Sequence, residues 1–400
     1  MNQLSRRSRL IKPSVTLAIA AKAGKLRAEG VDIINFSAGE PDFDTPASIK
    51  QAAIDALARG MTKYTDVRGI EPLRAAVAEK YRREYGLAYS KDEVLVSCGA
   101  KHALYNVIQA IVDDGDEVLI PAPFWVSYAD IAVLAGGKPR LVRAGESAGF
   151  RISAEALEAA LTPEIRLVIL NSPCNPTGAT YSRDELARIA RVLEKRACWL
   201  LSDDIYEKIV YDDFQFNNIV ALNPALRGRT VIINGVSKTY SMTGWRIGYA
   251  LGPAEVMSAA AKIQSQSTSN PTSIAQAAAL EAISGPQETV AAMVREFATR
   301  RDLIVERLNA VPGVRCLKPE GAFYVFPNVS ALFGKTAAGT GKKLSSPCDV
   351  AEYLLERARV ATVPGEDFGS FEHIRFSYAT SLDDIEEGCR RIRLAVEQLE

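Results

Sequence analysis

Histidine is scarce in this sequence, and neither sign of charge is in excess. Among 400 residues there are only two histidines, His102 and His373. This argues against a histidine-rich metal site and against a histidine base, so we expect no bound metal. Lys plus Arg and Asp plus Glu are equal at 48 each. Balanced charge disfavours nucleic acid or an anionic membrane as the main partner, but it allows a local cationic pocket for anionic substrates.

Long apolar runs and paired cysteines are also missing. No run reaches the roughly 20 apolar residues that a membrane-spanning helix needs. The N-terminus is basic and lacks the apolar core of a secretory signal. The six cysteines are scattered, without a CxxC pair, and a chain of this length does not need disulfides. We therefore expect reduced thiols and a cytoplasmic protein.

Short apolar runs alternate with longer amphipathic stretches along the middle of the chain. Helical patterns such as 101–111 and 182–195 lie between these runs. The alternation predicts an α/β fold with a mostly parallel central sheet, in which binding sites collect at the carboxyl ends of strands. The predicted strands span residues 93–97, 117–120, 139–142, 167–170, 199–202, 230–233 and 247–251.

The pattern changes toward both ends of the chain. After about residue 290 there are long amphipathic stretches, such as 288–311, with short strands at 322–326 and 374–378. We predict that residues 1–46 form an N-terminal arm and part of a small domain. Residues 47–290 are then a large domain, and residues 291–400 the rest of a smaller α/β domain. Segment 334–347, rich in Gly, Ser, Thr and Lys, is predicted to be a surface insertion.

One segment is more informative about chemistry than any other. A strand-like run at 230–234 leads into a turn with Ser237 and Lys238, and Arg246 follows eight residues later. A lysine amine can form a Schiff base with an aldehyde, and the guanidinium fork matches phosphate oxygens. Pyridoxal phosphate carries both groups, so this segment predicts a site for that cofactor. The alternative is a buried strand pair with a surface Lys and Arg between the strands.

A carboxylate ends another buried run. Asp203 follows the apolar residues of 199–202, and an isolated carboxylate is costly to bury. A protonated pyridine nitrogen would be a suitable partner and would make the ring an electron sink. The alternative is a helix N-cap, a role for which Asp204 is the better candidate. Tyr206 can donate a hydrogen bond to the phenolic oxygen of the cofactor, or it can be a packed aromatic.

Two further turns follow strand-like runs. Asn175 lies in an Asn-Ser-Pro-Cys-Asn-Pro-Thr-Gly loop at 171–178 and can donate to the same phenolic oxygen. Gly99, Ala100 and Lys101 open a helix after the run at 94–96. Small residues at a helix start expose backbone N–H groups to a phosphate, although such turns are common.

These segments together resemble the class I aminotransferases, which are pyridoxal-phosphate enzymes of fold type I. The run 235–248 resembles the family's Schiff-base lysine signature, and 171–178 resembles its Asn-x-Pro-x-Asn-Pro-Thr-Gly block. The resemblance extends from Lys12 to Tyr378 and is strongest to the bacterial and plastid 1β subgroup of aspartate aminotransferases. One departure is Asp204, where Glu is more usual, and we expect it to have little effect.

The resemblance implies roles that spacing alone does not supply. Lys238 would be the catalytic base and acid. Trp125 would stack on the cofactor ring, and Tyr64 would reach the phosphate in the other subunit of a homodimer. Segment 266–270 would also line the site of the neighbouring subunit. The other implied cofactor contacts are Lys238, Asp203, Tyr206, Asn175, Gly99, Ala100, Lys101, Ser237 and Arg246. The implied substrate contacts are Gly39, Trp125, Asn175, Arg375, Lys101, Thr16 and Lys12.

The implied reaction is a ping-pong transfer of the amino group from aspartate to 2-oxoglutarate. Arg375 would bind the α-carboxylate, and Lys101 with Thr16 the second carboxylate. Lys12 and Thr16 would also allow amination of prephenate, unless Lys12 only anchors the N-terminal arm. An aromatic or broad-specificity aminotransferase and a β-lyase would share every cofactor residue. A regulator on this fold would need an added DNA-binding domain, and only about 46 residues precede the large domain.

Overall fold

A computed structural model describes residues 4–11, 15–337 and 341–400 of the chain. The side chains of Arg6, 15–18 and Ala20 are left undescribed. The strands, in chain order, are β1 (Ile34–Asn35), β2 (Val94–Ser97), β3 (Glu117–Ala122), β4 (Lys138–Arg143), β5 (Ile165–Asn171), β6 (Trp199–Asp203), β7 (Thr230–Gly235), β8 (Gly248–Leu251), β9 (Tyr324–Val325), β10 (Val360–Ala361), β11 (Val363–Pro364) and β12 (Ile374–Ser377).

Helices cover the sheets and build the rest of the fold. In chain order they are α1 (Arg6–Leu10), α2 (Val15–Ala28), α3 (Ala47–Ala58), α4 (Glu71–Tyr85), α5 (Ala100–Ile111), α6 (Ser127–Leu134), α7 (Ala154–Ala160), α8 (Arg183–Glu194), α9 (Ile219–Leu222), α10 (Ala254–Ser267), α11 (Ser273–Ser284), α12 (Glu288–Asn309), α13 (Pro347–Tyr353) and α14 (Leu382–Glu397).

The central sheet has seven strands in the order β2-β8-β7-β6-β5-β3-β4. All seven predicted strands are present, and the prediction of a mostly parallel sheet is confirmed. The exception is β8, which runs antiparallel to both of its neighbours, β2 and β7. Strands in the middle of the sheet are buried along nearly their whole length, whereas the edge strand β4 is largely exposed or half-buried. Burial on both faces explains the continuous apolar runs in the sequence.

The register of the strands brings four chain segments to one edge of the sheet. Asn171 at the end of β5 lies opposite Asp203 at the end of β6. Gly235 at the end of β7, two residues beyond the partner of Asp203, pairs with Gly248, which also pairs with Ser97 at the end of β2. Residues that follow these strands therefore converge at the carboxyl edge, where open α/β sheets bind their ligands.

The remaining strands form two small sheets. β1 pairs with β10 in parallel, and β11, β12 and β9 form an antiparallel sheet in that order. Their core joins Ile34 and Phe36 to apolar residues of α12, α14 and β12. The predicted domain division at 46/47 and 290/291 stays a prediction. The predicted insertion at 334–347 lies partly outside the described residues, and on either side of the undescribed positions Thr336 bridges to Lys343.

None of the helices in the described part of the chain has the length and apolarity to cross a bilayer. All six cysteines are free thiols, and five of them are buried or half-buried. Within the described ranges there is no cluster of three or more His, Cys, Asp or Glu side chains that could hold a metal ion.

Candidate active site

A cavity of about 730 Å³ opens at the carboxyl edge of the central sheet. Its walls combine residues from the seven-stranded sheet, the loop after β1 and the sheet formed by β9, β11 and β12. The predicted site residues that line it are Gly39, Ala100, Lys101, Trp125, Asn175, Asp203, Tyr206, Ser237, Lys238, Arg246 and Arg375. Segments predicted from separate stretches of sequence therefore meet in one place.

Two predicted residues, Gly99 and Tyr64, do not line the cavity, and two others, Thr16 and Lys12, cannot be placed relative to it. Gly99 lies directly behind it, next to Arg246. Tyr64 is 91% exposed on the loop between α3 and α4. Thr16 belongs to α2, but its side chain is not described, and Lys12 falls outside the described residues. The roles predicted for these four residues, like the roles of the residues that line the cavity, stay predictions.

Lys238 extends from the turn after β7 into the cavity. Its Nζ donates a hydrogen bond of 2.6 Å to the carbonyl oxygen of Gly39. Desolvation in the cavity lowers the pKa of this amine to about 8, against the weaker opposing effect of the Glu40 carboxylate. Lys238 forms no ion pair within 4 Å among the described residues, so no carboxylate in contact offsets this desolvation.

Asp203 is buried at the end of β6, with 3% of its surface exposed. Its Oδ2 accepts a hydrogen bond of 2.5 Å from the hydroxyl of Tyr128, and its Oδ1 accepts one of 3.3 Å from the backbone N–H of Ile205. Burial raises the pKa of this carboxyl to about 6, although both hydrogen bonds and Lys238 oppose the shift. A cation placed beside Asp203 would keep the carboxylate ionised.

The turn after Asp203 differs from the helix considered in the sequence. Residues 205–208 form a turn, so Asp204 is not a helix N-cap. Asp204 instead accepts hydrogen bonds from Ser202 at 2.7 Å and from Asn218 at 2.8 Å. The short turn presents Tyr206 to the cavity, where its hydroxyl lies 2.9 Å from that of Tyr324.

A glycine allows the segment before α5 to approach Arg246. Gly99 has φ +89°, and a Cβ at this position would lie 2.3 Å from Nη2 of Arg246. The guanidinium donates to the carbonyl oxygens of Thr243 at 2.9 Å and Cys98 at 3.3 Å. The first turn of α5 leaves backbone N–H groups without helical partners. A cation and these N–H groups thus form a cradle suited to a phosphate.

Arg375 is a buried cation on β12, with 2% of its surface exposed. Its Nη1 donates to Oδ1 of Asn175 at 3.0 Å, and its Nη2 donates to the carbonyl oxygen of Ser37 at 2.9 Å. Its Nε has no partner among the described residues, and no carboxylate there lies within 4 Å of the guanidinium. Burial lowers the pKa of this group. An anion entering the cavity would supply the missing charge.

Lys101 and Trp125 lie together on another wall of the cavity. Nζ of Lys101 is 4.8 Å from the centre of the Trp125 ring, a cation–π distance. The pKa of this lysine is lowered by partial burial and by the nearby Arg246. The cavity therefore has two cationic groups, Lys101 and Arg375, in addition to Lys238 and Arg246.

Sequence reasoning did not identify several other residues that line this cavity, among them Leu10, Glu40, Tyr128 and Tyr324. Tyr128 is three residues after Trp125, and its hydroxyl binds Asp203 across 75 positions of sequence. Tyr324 lies within the predicted strand 322–326 and has its hydroxyl 3.6 Å from where a Cβ of Gly39 would lie. Tyr128 could have been found from its place in the aromatic-rich stretch 124–128. The strand pattern at 322–326 gave no comparable indication for Tyr324.

These surroundings fit pyridoxal phosphate. The cradle at Gly99 and Arg246 would be filled by a side chain at position 99, so it is kept open for a ligand. Asp203 is a buried carboxyl that needs a cation, such as a protonated pyridine nitrogen. Lys238 is an amine with a lowered pKa in the same cavity. A ligand with an aldehyde, a ring nitrogen and a phosphate matches all three.

Comparison with known families and proteins agrees with this fit. Residues 31–392 match the family model described as aminotransferase class I and II. An aspartate/prephenate aminotransferase of Cereibacter sphaeroides is 52% identical over 384 residues, which cover 96% of each chain. An aspartate aminotransferase of Rhizobium meliloti is 49% identical, over 96% of this chain and 94% of its own.

Solved structures show the same fold. The crystal structure of the aspartate aminotransferase from Rhizobium meliloti has a TM-score of 0.96 and 48% identity, and the alignment covers 100% of both chains. The aspartate aminotransferase from Thermus thermophilus with maleate has a TM-score of 0.91 and 43% identity, over 99% of this chain and 100% of its own.

Proposed function

Since the chain belongs to the class I and II aminotransferases, which depend on pyridoxal phosphate, we propose that it transfers the amino group of L-aspartate to 2-oxoglutarate. The products are oxaloacetate and L-glutamate. The choice of substrate rests on Arg375, whose buried guanidinium has no carboxylate partner among the described residues. The same cavity also holds the amine of Lys101.

The cofactor would be held by residues that line the cavity. Asp203 would face the ring nitrogen, and its bond from Tyr128 orients the carboxylate. Trp125 would stack on the ring, and Tyr206 and Asn175 would donate to its phenolic oxygen. The phosphate would be bound by residues 99–101, Ser237 and Arg246. When bound, pyridoxal phosphate supplies an aldehyde that takes up amino groups and a protonated ring that withdraws electrons from the substrate.

Lys238 would move the proton. Its lowered pKa makes the neutral amine available near pH 8, so Nζ can take the proton from the α-carbon of the amino acid and return one later in the step. Its bond to the carbonyl oxygen of Gly39 holds the amine close to the loop that would cover the substrate carboxylate. The amino acid is converted and released before the oxo acid binds, which gives ping-pong kinetics.

Two cations would select a dicarboxylic substrate. The fork of Arg375 is suited to bidentate binding of the α-carboxylate. Asn175 and the Ser37 carbonyl hold the guanidinium in place without neutralising it. Lys101 would pair with the distal carboxylate. The relative from Thermus thermophilus was solved with maleate, a dicarboxylate, which supports this proposal.

A substrate panel tests the proposal. Aspartate should discharge the visible absorbance of the cofactor-loaded protein, and phenylalanine should do so far more slowly. Lys101→Ala should raise KM for aspartate by roughly tenfold, the typical worth of one charge-assisted contact. Lys91→Ala is the control, because Lys91 pairs with Glu71 at 2.5 Å outside the cavity. If Lys101→Ala spared aspartate turnover and lowered phenylalanine turnover, the aromatic alternative would replace this proposal.

We also propose prephenate as a second amino acceptor, giving arogenate. The support is the relative from Cereibacter sphaeroides, named for both activities and 52% identical to this chain. Prephenate carries two carboxylates, so Arg375 and Lys101 would serve both substrates. The further predicted determinants are Lys12 and Thr16. Lys12→Ala should lower prephenate turnover more than aspartate turnover; equal effects would mean that Lys12 only anchors the arm.

The active form is proposed to be a cytoplasmic homodimer with shared active sites. Tyr64 supports this, since it is 91% exposed and lies outside the described lining of its own cavity. Ile54 and Leu57 on α3 add exposed apolar surface nearby, at 58% and 55%. Sedimentation of the cofactor-loaded protein should give twice the mass of the chain. Tyr64→Phe should weaken cofactor retention, and a stable, active monomer would contradict the proposal.

A further inference from the structure

Gln264 on α10 is a buried amide whose hydrogen-bonding capacity is used in full. None of its surface is exposed. Its Nε2 donates to the carbonyl oxygens of Val67 at 2.6 Å and Val96 at 2.8 Å. Its Oε1 accepts from Oγ of Ser97 at 2.6 Å and from Nδ2 of Asn106 at 3.0 Å. An amide group offers two donors and an acceptor oxygen with two lone pairs, so nothing is left over.

Two of these partners lead directly to the phosphate cradle of the same chain. Val96 and Ser97 are the last residues of β2, and Gly99 and Ala100 follow at once. Asn106 lies on α5, the helix whose first turn forms part of the cradle. Gln264 therefore fixes the strand end and the helix between which the cradle is formed.

The third partner leads to the loop that carries Tyr64. Val67 is three residues after Tyr64 in the connection between α3 and α4. The same loop also pairs directly with β2, because the backbone N–H of Val96 donates to the carbonyl oxygen of Arg68 at 2.9 Å. At Gly69, with φ +96°, a Cβ would lie 2.6 Å from Cβ of Val96. The Tyr64 loop and the cradle are thus packed together around one amide.

Gln276 on α11 offers a natural contrast. It is also fully buried, and it holds the same loop through Oε1, which accepts from the backbone N–H of Ile70 at 2.7 Å, and through Nε2, which donates to Oγ1 of Thr65 at 3.1 Å. Its other described hydrogen-bond partner is the carbonyl oxygen of Pro271. Gln276 therefore supports the Tyr64 loop without bonding to β2 or α5.

We propose that Gln264 is a positioning residue. It holds the phosphate cradle of its own subunit and the Tyr64 loop, which contacts the active site of the partner subunit, in one fixed arrangement. This rests on the proposed dimer with shared active sites. Gln264 touches neither cofactor nor substrate. It acts on two sites at once, its own through Val96 and Ser97 and the partner's through Val67. Loss of this amide should weaken the hold on cofactor phosphate in both subunits.

Hybrid dimers separate the two effects. When one chain carries Gln264→Met and the other Lys238→Ala, borohydride can trap cofactor only in the Gln264→Met chain, which reports on its own cradle. When one chain carries both substitutions and the other is wild type, borohydride traps cofactor only in the wild-type chain. That active site has a wild-type cradle and a Tyr64 loop supplied by the variant chain. The measured quantity is the rate at which trappable cofactor is lost after dilution, with thermal unfolding recorded alongside.

Gln264→Met should speed cofactor release by about tenfold in both arrangements, the worth of roughly one net hydrogen bond at each site. Gln276→Met should act only in the arrangement that borrows the Tyr64 loop. Ser97→Ala removes only the bond at the cradle and should act only on its own subunit's site. This split cannot arise from a general loss of stability, which would affect all arrangements alike.

Three outcomes overturn the inference: no effect of Gln264→Met, an effect in one arrangement only, or equal effects of all three variants in both arrangements. If Gln264→Met does not fold, Gln264→Glu takes its place. It keeps the oxygen for Ser97 and Asn106, loses the N–H groups that bridge Val67 and Val96, and should also act in both arrangements. If the wild-type protein bound no cofactor or remained a monomer, this would instead contradict the proposed function.

Discussion

Two clusters of buried charge include residues of the segment 203–207, Glu207 in one and Asp203 in the other. In the closed cluster, Lys80 forms an ion pair with Glu207 and lies 3.2 Å from Glu84, and Tyr85 donates to Glu207 at 2.6 Å. In the open cluster, Lys238, Asp203 and Arg375 face the cavity. There the lysine donates to a carbonyl and the aspartate accepts from a tyrosine, so neither is neutralised by an opposite charge at contact distance.

The difference shows in the two lysines. Burial alone lowers the pKa of Lys80, but the carboxylates of Glu207 and Glu84 outweigh it, and the pKa is raised. Burial lowers the pKa of Lys238 to about 8, because no carboxylate in contact compensates. A buried cation with an acid partner keeps its charge and stabilises structure; a buried cation without one is left available for a ligand or a reaction.

Replacing the open lysine should have the largest effect on activity. Lys238→Ala removes the amine that we propose binds the cofactor and acts as the base, so turnover of aspartate should fall by at least about 10⁴-fold. The cofactor-free protein should unfold within about 1 kcal/mol of wild type, because the unpaired amine contributes little to stability. Single-turnover absorbance and denaturant unfolding measure the two quantities. Turnover above a tenth of wild type would contradict this assignment.

Replacing one member of the closed pair should have the opposite profile. Glu207→Gln removes one of the two carboxylates that compensate the buried charge of Lys80 and leaves Glu84 at 3.2 Å, which should cost about 3 kcal/mol of unfolding free energy. The double change Lys80→Met with Glu207→Leu should recover much of that loss. Denaturant unfolding of the cofactor-free protein is the measurement. A change below about 1 kcal/mol for the single variant would show that the pair is not structural.

Two arginines extend the comparison. Arg375→Lys replaces a planar fork by a point charge, and KM for aspartate should rise roughly ten- to hundred-fold, the range for hydrogen bonds to charged groups. Arg301 is the control, because it is fully buried but paired with Asp212 at 2.9 Å and Asp302 at 2.8 Å. Arg301→Lys should lower stability and leave KM within about threefold. If Arg375→Lys and Arg301→Lys raised KM equally, the distinction between an arginine without an acid partner and a paired one would not hold.

The pH dependence of cofactor uptake should give the smallest effect. The amine of Lys238 must be neutral to react, and its pKa is lowered to about 8. The rate at which cofactor-free protein takes up pyridoxal phosphate should therefore rise about tenfold per pH unit below 8 and level off above it. Stopped-flow absorbance measures this rate. A profile that keeps rising to pH 10 would mean that Lys238 titrates like an exposed lysine.

Sequence alone predicted the central sheet and eleven of the residues that line the cavity. The reason is physical: strands buried on both faces give continuous apolar runs, and polar residues just after such runs converge at one edge. The antiparallel direction of β8 was not predicted. It follows from the connection 236–247, whose described residues contain no crossover helix, since parallel neighbours need a longer link, usually a helix.

The partners of the buried charges were not predictable in the same way. Tyr128 meets Asp203 across 75 positions, and Lys80 meets Glu207 across 127. Periodicity shows which face of an element is buried, but not which distant side chain it meets. The alternative role of a helix N-cap does not apply to Asp204, because residues 205–208 turn without forming a helix. Local sequence propensity could not distinguish a helix start from a short turn after Asp203.

Gly99 has a consequence for how this gene can vary. Every single-nucleotide change that replaces glycine introduces a Cβ, and at this position a Cβ would lie 2.3 Å from the guanidinium of Arg246. In a library of variants, codon 99 should therefore be depleted of all missense alleles. A second change at codon 246 should not rescue such alleles, because it would leave position 99 at φ +89° and would remove the cation proposed to bind the phosphate.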